Sequence, residues 1–211
     1  MTIAEKITRA KADFDEVYEA GKQAGGGGGN AEEAFEEGKE AAYDEFWDEF
    51  QNNGGDYKQA FASNCWDDKT YNPKNNIVCT VSGESAFSGN TKITSTKVPI
   101  EVRGCSANMM FTNCQKLVTI PFVGFYNNTG NSSFAASCFN LENITIDGEI
   151  PFGIGFANAS KLTDASVQSI IDHLKDLTGQ TAAKITFHSN VVAKLTNEQY
   201  NQIANKNWYV G

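Results

Sequence analysis

Arginine is almost absent from this 211-residue chain, which has only Arg9 and Arg103. A surface that neutralises phosphates needs clustered basic side chains, so nucleic-acid binding is excluded as an expectation. Histidine is as scarce. His173 and His188 share no i, i+4 spacing, so no His-His metal pair is indicated. His173 reads as solvent-facing on a helix and His188 as outward-pointing on a strand. The chain contains no GxSxG, HExxH, GxxxxGK[ST] or GxGxxG. The glycines at 25–29 have neither a preceding apolar strand nor a following GK[ST], so they do not form a phosphate loop. The sequence points to no catalytic residue, no metal and no cofactor.

Long apolar runs are also missing. No stretch approaches 18 apolar residues, so no membrane insertion is expected. The opening residues, MTIAEKITRAKADFDE, lack the apolar core of a secretory signal, and Met followed by Thr reads as an intact start. Five cysteines, at 65, 79, 105, 114 and 138, form an odd set without a CxxC pair. That argues for free thiols in a reducing cytoplasm and against a disulfide framework or a zinc cluster. The glutamates at 32, 33, 36, 37 and 40 lack the oxygen-ligand spacing of a calcium loop and read as a solvated helix face.

Aromatic residues are plentiful, with 14 Phe, 7 Tyr and 3 Trp, enough apolar area to require a core. Charge is distributed unevenly. Residues 1–50 hold 14 acids and 5 bases and so account for the whole net charge of −9, which leaves residues 51–211 neutral. Within the acidic part, Ile3, Ile7, Ala10, Phe14 and Val17 recur at steps of three and four, which predicts a narrow-seamed amphipathic helix over 1–24. A glycine linker at 25–30 interrupts it. A second helix, acidic and aromatic, is expected over 31–51, with Phe35, Phe46 and Phe50 on one face. These seams must be buried against something, either the rest of the chain or other copies of it. The expected self-association residues are Ile3, Ile7, Phe14, Val17, Phe35, Phe46 and Phe50.

Residues 52–107 read as an irregular, β-rich lead-in with short strands near 77–81 and 93–102. A repeat emerges over 108–165. Phe111-x-x-Cys114-x-x-Leu117-x-x-Ile120 is followed by Ala135-x-x-Cys138-x-x-Leu141-x-x-Ile144 and Phe156-x-x-Ala159-x-x-Leu162-x-x-Ala165. In the second unit the aromatic, Phe134, sits one place early. Buried cysteines at equivalent positions would stack as small apolar fillers from coil to coil. A cap over 166–211 closes the array: a helix over 163–177 ended by Gly179, a strand over 184–195, a capping box at Thr196 and Gln199, and a last strand over 207–210. The segment from Phe122 to Asn131 reads as an insertion that lengthens one repeat interval to 24. Its Phe122, Phe125, Tyr126, Asn127 and Asn128 are candidate ligand contacts, with core filling the alternative for the two phenylalanines.

The F-x-x-C-x-x-L-x-x-I units resemble the BspA-type leucine-rich repeats of bacterial surface and phage proteins. A wider resemblance covers most of the chain. It runs through MTIAEKI, Gly21-Lys-Gln-Ala24, Tyr43-Asp-Glu-Phe-Trp-Asp-Glu-Phe-Gln51, Leu141-Glu-Asn-Ile-Thr-Ile146, Ala165-Ser-Val-Gln-Ser-Ile-Ile-Asp-His-Leu174 and Lys206-Asn-Trp208. These residues are similar to leucine-rich-repeat proteins encoded in phages and prophages of gut Firmicutes. The resemblance implies an α+β fold: a short leucine-rich-repeat solenoid with a helical N-terminal segment and an α/β C-terminal cap. It also implies a non-enzymatic structural or host-contact protein of the virion, made in the bacterial cytoplasm. Its partners would be itself as a homo-oligomer, and phage particle components or a host cell-surface protein or glycan. A bacterial surface or secreted adhesin is the alternative, and a cell-wall hydrolase a minor one.

Overall fold

The computed structural model describes residues 55–62, 66–68 and 71–211. The helices expected over 1–24 and 31–51, and all the self-association residues, lie outside the described residues.

Four short strands rich in β-branched residues build the first sheet: β1 (Ile77–Cys79), β2 (Ile100–Arg103), β3 (Thr119–Tyr126) and β4 (Asn143–Gly148). They pair in sequence order, all parallel, so each strand is one coil beyond the last. The register is regular: Ile77, Ile100, Val123 and Ile146 align across the sheet and are all buried. Alternation along each strand sends these side chains inward and their neighbours outward. A bulge between Ile120 and Val123 of β3 carries Pro121, which lacks the N–H that an unbroken ladder needs.

The repeat reaches further back than residue 108. Backbone N–H groups of Phe61, Phe87, Phe111 and Ala135 donate to the carbonyls of Ala86, Met110, Phe134 and Gly155 in the following coil. Residues 56–107 therefore contain coils of the same kind as those after them. The fourth residue of each unit makes one recurring bond. Cys114 Sγ donates to the Phe87 carbonyl (3.0 Å) and Cys138 Sγ to the Phe111 carbonyl (2.8 Å). Asn90 Nδ2 makes the matching bond to the Phe61 carbonyl (3.1 Å). The 24-residue interval is thus shared by Asn90, Cys114 and Cys138, and the segment after Phe122 is no insertion. The irregular interval is the shorter one, to Ala159.

A phenylalanine column runs through the interior. Phe61 and Phe87 stack at 4.6 Å and 27°, and Phe87 and Phe111 at 5.0 Å and 19°. The next ring, Phe134, meets Phe111 edge-on at 5.2 Å and 81°. The change of geometry follows from the sequence: the ladder places Ala135 in the phenylalanine slot, and the ring arrives from the preceding position.

The sheet ends at β4, and a helix covers its edge. Helix α1 (Asp164–Asp172) is N-capped by Thr163. Its Ser166 and Ser169 hydroxyls accept from the β4 N–H groups of Ile144 (3.0 Å) and Ile146 (2.9 Å), while Ser166 donates to the Glu142 carbonyl (2.9 Å). An open edge would leave these groups for another chain to pair with. Replacing both serines by alanine should cost about 2–4 kcal/mol in denaturant unfolding, with the larger share from the buried Ser166. A double variant within about 0.5 kcal/mol of wild type would show that water serves the edge equally well.

The cap departs from expectation in two places. Helix α1 stops at His173 instead of running to 177, because Leu174 turns to bridge with Ile150. The strand expected over 184–195 is instead β6 (Ala183–Phe187) followed by the one-turn helix α2 (Ser189–Val192). The capping box of Thr196 and Gln199 opens α3 (Asn197–Asn205), as its residues required. Strands β5 (Ile154–Phe156), β6 and β7 (Trp208–Val210) form a second parallel sheet in that order.

Candidate functional site: the outer face of the first sheet

The register that aligns the core also aligns the opposite face. Val78, Glu101, Gly124 and Asp147 form one outward row, and Arg103 pairs with Tyr126 beside it. Gly124 leaves room for an aromatic ring. A Cβ there would lie 2.5 Å from Tyr126 Cε2 and 2.8 Å from its hydroxyl, so the ring sits on the glycine. The Tyr126 hydroxyl donates a short hydrogen bond to Asp147 Oδ2. On the other side, the Arg103 guanidinium lies 5.0 Å from the ring centroid, a cation–π arrangement. Arg103 donates through Nε (2.7 Å) and Nη2 to Glu101 Oε2, and Asn76 Nδ2 donates to Glu101 Oε1 (3.4 Å). Among the described residues the Nη1 hydrogens of Arg103 meet no acceptor and are left over for a partner.

The hydrogen bond sets the titration of both its members. Donation to the Asp147 carboxylate pushes the Tyr126 phenol up to about 12. The same bond, then the Gly148 N–H, holds the Asp147 carboxyl below its ordinary range. Because the folded Asp147 is the stronger acid, its contribution to stability is present above the ordinary carboxylate range. That contribution is lost as the pH falls through the folded value. Tyr126→Phe should therefore lower the urea midpoint at pH 7, with the gap to wild type narrowing in acid. A gap independent of pH would show that the bond contributes nothing through Asp147.

The five candidate contacts are divided by this geometry. Tyr126 reaches the outer face, Asn127 is exposed at its corner with φ of 55°, and Phe122 is half-buried at the bulge. Phe125 is not a contact: it is 1% exposed, its ring 5.4 Å from Phe134, because strand alternation turns it inward. Asn128 is also inside, at 4% exposure. The sequence gives Glu101 and Asp147 only as carboxylates in repeat or turn positions, too weak a pair for glycosidase chemistry, and assigns Arg103 no role. Their signal was the 23-residue register, since 101, 124 and 147 are equally spaced, as are 103 and 126.

Other chemistry-bearing groups have structural roles. His188 Nδ1 accepts from Asn190 N–H (3.1 Å) to cap α2, and His173 Nδ1 lies 2.8 Å from the Ser169 carbonyl. The described cysteines are free and buried. Burial pushes the Cys79 thiol up, and contact with Cys138 followed by burial does the same to Cys114. Both changes disfavour the reactive thiolate. A cleft lined by Leu162, Val167, Val191 and Lys194 measures about 130 Å³, below the roughly 300 Å³ at which small-molecule sites begin. Among the described residues, no group of three or more His, Cys, Asp or Glu is placed to hold a metal ion. Among the same residues, no helix is long and apolar enough to cross a membrane.

The family model for the BspA type leucine rich repeat region matches residues 58–153 and 80–201, in six copies. Repeats of this kind are typically non-catalytic binding domains. No curated protein and no solved structure matches the chain. With coils laddered from Phe61 onward and the match spanning more than half of its length, the chain belongs to the BspA-type leucine-rich-repeat family.

Proposed function

We propose that this is a phage structural or host-contact protein. Its repeat domain binds a host-surface protein or glycan through the outer face of the first sheet, and its acidic N-terminal segment holds several copies together. The observation that carries the binding role is the preorganised cluster of Glu101, Arg103, Tyr126 and Asp147. It places an aromatic rim and unused guanidinium donors on a rigid sheet. The phage setting rests on the resemblance of both ends of the chain to prophage-encoded repeat proteins. Held as an oligomer, weak individual contacts gain avidity of about 10²–10⁴-fold.

Residues 54–211 form a compact unit of their own, which makes the fragment a fair comparison. The full chain should sediment as an oligomer that salt strengthens by screening the net −9, while residues 54–211 remain monomeric. Binding to host cells should fall in the fragment through lost avidity, and in full-length Gly124→Ala through displacement of Tyr126. A full chain that stays monomeric at high concentration in both low and high salt overturns the multivalent reading. Particles from a producing culture should contain the protein. Its presence on the bacterial surface with none in particles would assign it as an adhesin instead.

A further inference from the structure

Asn128 and Asn131 turn into the third coil, at 4% and 0% exposure. The side-chain amide nitrogen and oxygen of both are buried, and none of the four atoms has a hydrogen-bond partner among the described residues. Asn90 in an earlier coil shows how this fold satisfies a buried amide. Its Nδ2 donates to the Phe61 and Trp66 carbonyls (3.1 and 3.2 Å), and its Oδ1 accepts from the Lys92 and Ile93 N–H groups (2.9 and 3.1 Å). Nor does the solenoid require polarity at these positions. The ladder bonds Gly83 N–H to Ser106 O and Ala107 N–H to Gly130 O, which makes Ala107 and Gly83 the counterparts of Asn131 in the two preceding coils. The matching turn of the second coil carries the buried Cys105. Two bare amides in a position suited to alanine would be a penalty comparable with a large part of a domain's stability.

We propose that Asn128 and Asn131 form an internal hydrogen-bonding site in the third coil that takes up ordered water. The chemistry selects the ligand. Each amide is neutral and offers both donors and acceptors, so its complement must donate and accept without carrying charge. The turn above is closed by Asn108, whose Oδ1 accepts from Ser132 N–H (2.8 Å) and Ser132 Oγ (3.1 Å). Water meets the requirement for a neutral donor and acceptor, and a buried water commonly serves several otherwise unpaired groups. The site underlies the turn that follows Tyr126, so its occupancy holds the corner of the outer face.

The test uses the full-length protein. A high-resolution crystal structure should show water within hydrogen-bond distance of both amides, and their side-chain N–H resonances should show cross-relaxation with water. Asn131→Ala, which installs the residue of the preceding coil, should lower the melting temperature by about 5 °C and abolish that signal at Asn128. An Asn131→Ala protein that melts at the wild-type temperature or above overturns the proposal. So does a wild-type crystal structure with the two amides bonded only to protein atoms, which decides the matter if the variant fails to fold.

Discussion

Phe111→Ala should destabilise the repeat domain by about 3–5 kcal/mol, a large fraction of what holds a domain of this size together. Phe111 is fully buried and touches a ring on each side, Phe87 at 5.0 Å and Phe134 at 5.2 Å. The cavity has little to refill it, because the equivalent slot of the next coil already holds Ala135. Loss of the middle ring also uncouples the coils before it from those after it. Each coil is stabilised by its neighbours, so unfolding followed by tryptophan fluorescence and by circular dichroism should cease to coincide. Phe139→Ala is the control. At 46% exposure it should shift stability by less than about 0.5 kcal/mol. Equal effects from the two substitutions would show that the column contributes no more than surface area does.

Gly148→Ala should cost about 2–5 kcal/mol and disorder the outer face along with the fold. Gly148 has φ of 71°, and a Cβ there would overlap the Phe125 carbonyl oxygen, a backbone atom that also accepts from the Glu149 N–H (2.9 Å). It would lie 3.2 Å from Tyr126 Cδ1 as well, so the strain reaches the ring that bonds to Asp147. Gly104→Ala separates the two contributions. Gly104 has φ of 67° with no atom of the described residues within 4 Å of the added carbon, which leaves only the left-handed backbone cost of about 1–2 kcal/mol. If the two variants are equally stable, close approach of strands β3 and β4 is not what selects glycine at 148.

The coils after residue 108 were legible because three of their slots carry unambiguous residues: Phe111, Cys114 and Leu117. The earlier coils use the same geometry with different chemistry. Phe87-x-x-Asn90-x-x-Ile93 fills the cysteine slot with an amide that makes the same bond to the preceding coil, so a pattern based on a small apolar residue passes over it. The capping box of α3 and the inner face of α1 could be read locally, since both depend on spacings within one or two turns. The end of α1 could not, because it is set by the Leu174–Ile150 bridge, a contact between distant segments. The outer-face site was hidden for a related reason. Glu101 and Arg103 are neighbours along one strand, but Tyr126 and Asp147 join them only once the strand register is known. Period-two alternation could have placed Phe125 opposite Tyr126, but the β3 bulge obscures the phase that Phe122 would otherwise indicate.

The constant offset between β1, β2 and β3 also bears on how such a protein changes over generations. Ile77, Ile100 and Val123 are interchangeable points on three successive coils. An in-frame duplication or loss of one interval would join equivalent backbone positions, with inward residues still inward and outward residues still outward. The surface would grow or shrink by a single row, about 4.8 Å in height. A lineage competing over what its surface recognises can thus alter the reach of that surface by recombination alone and leave the interior grammar untouched.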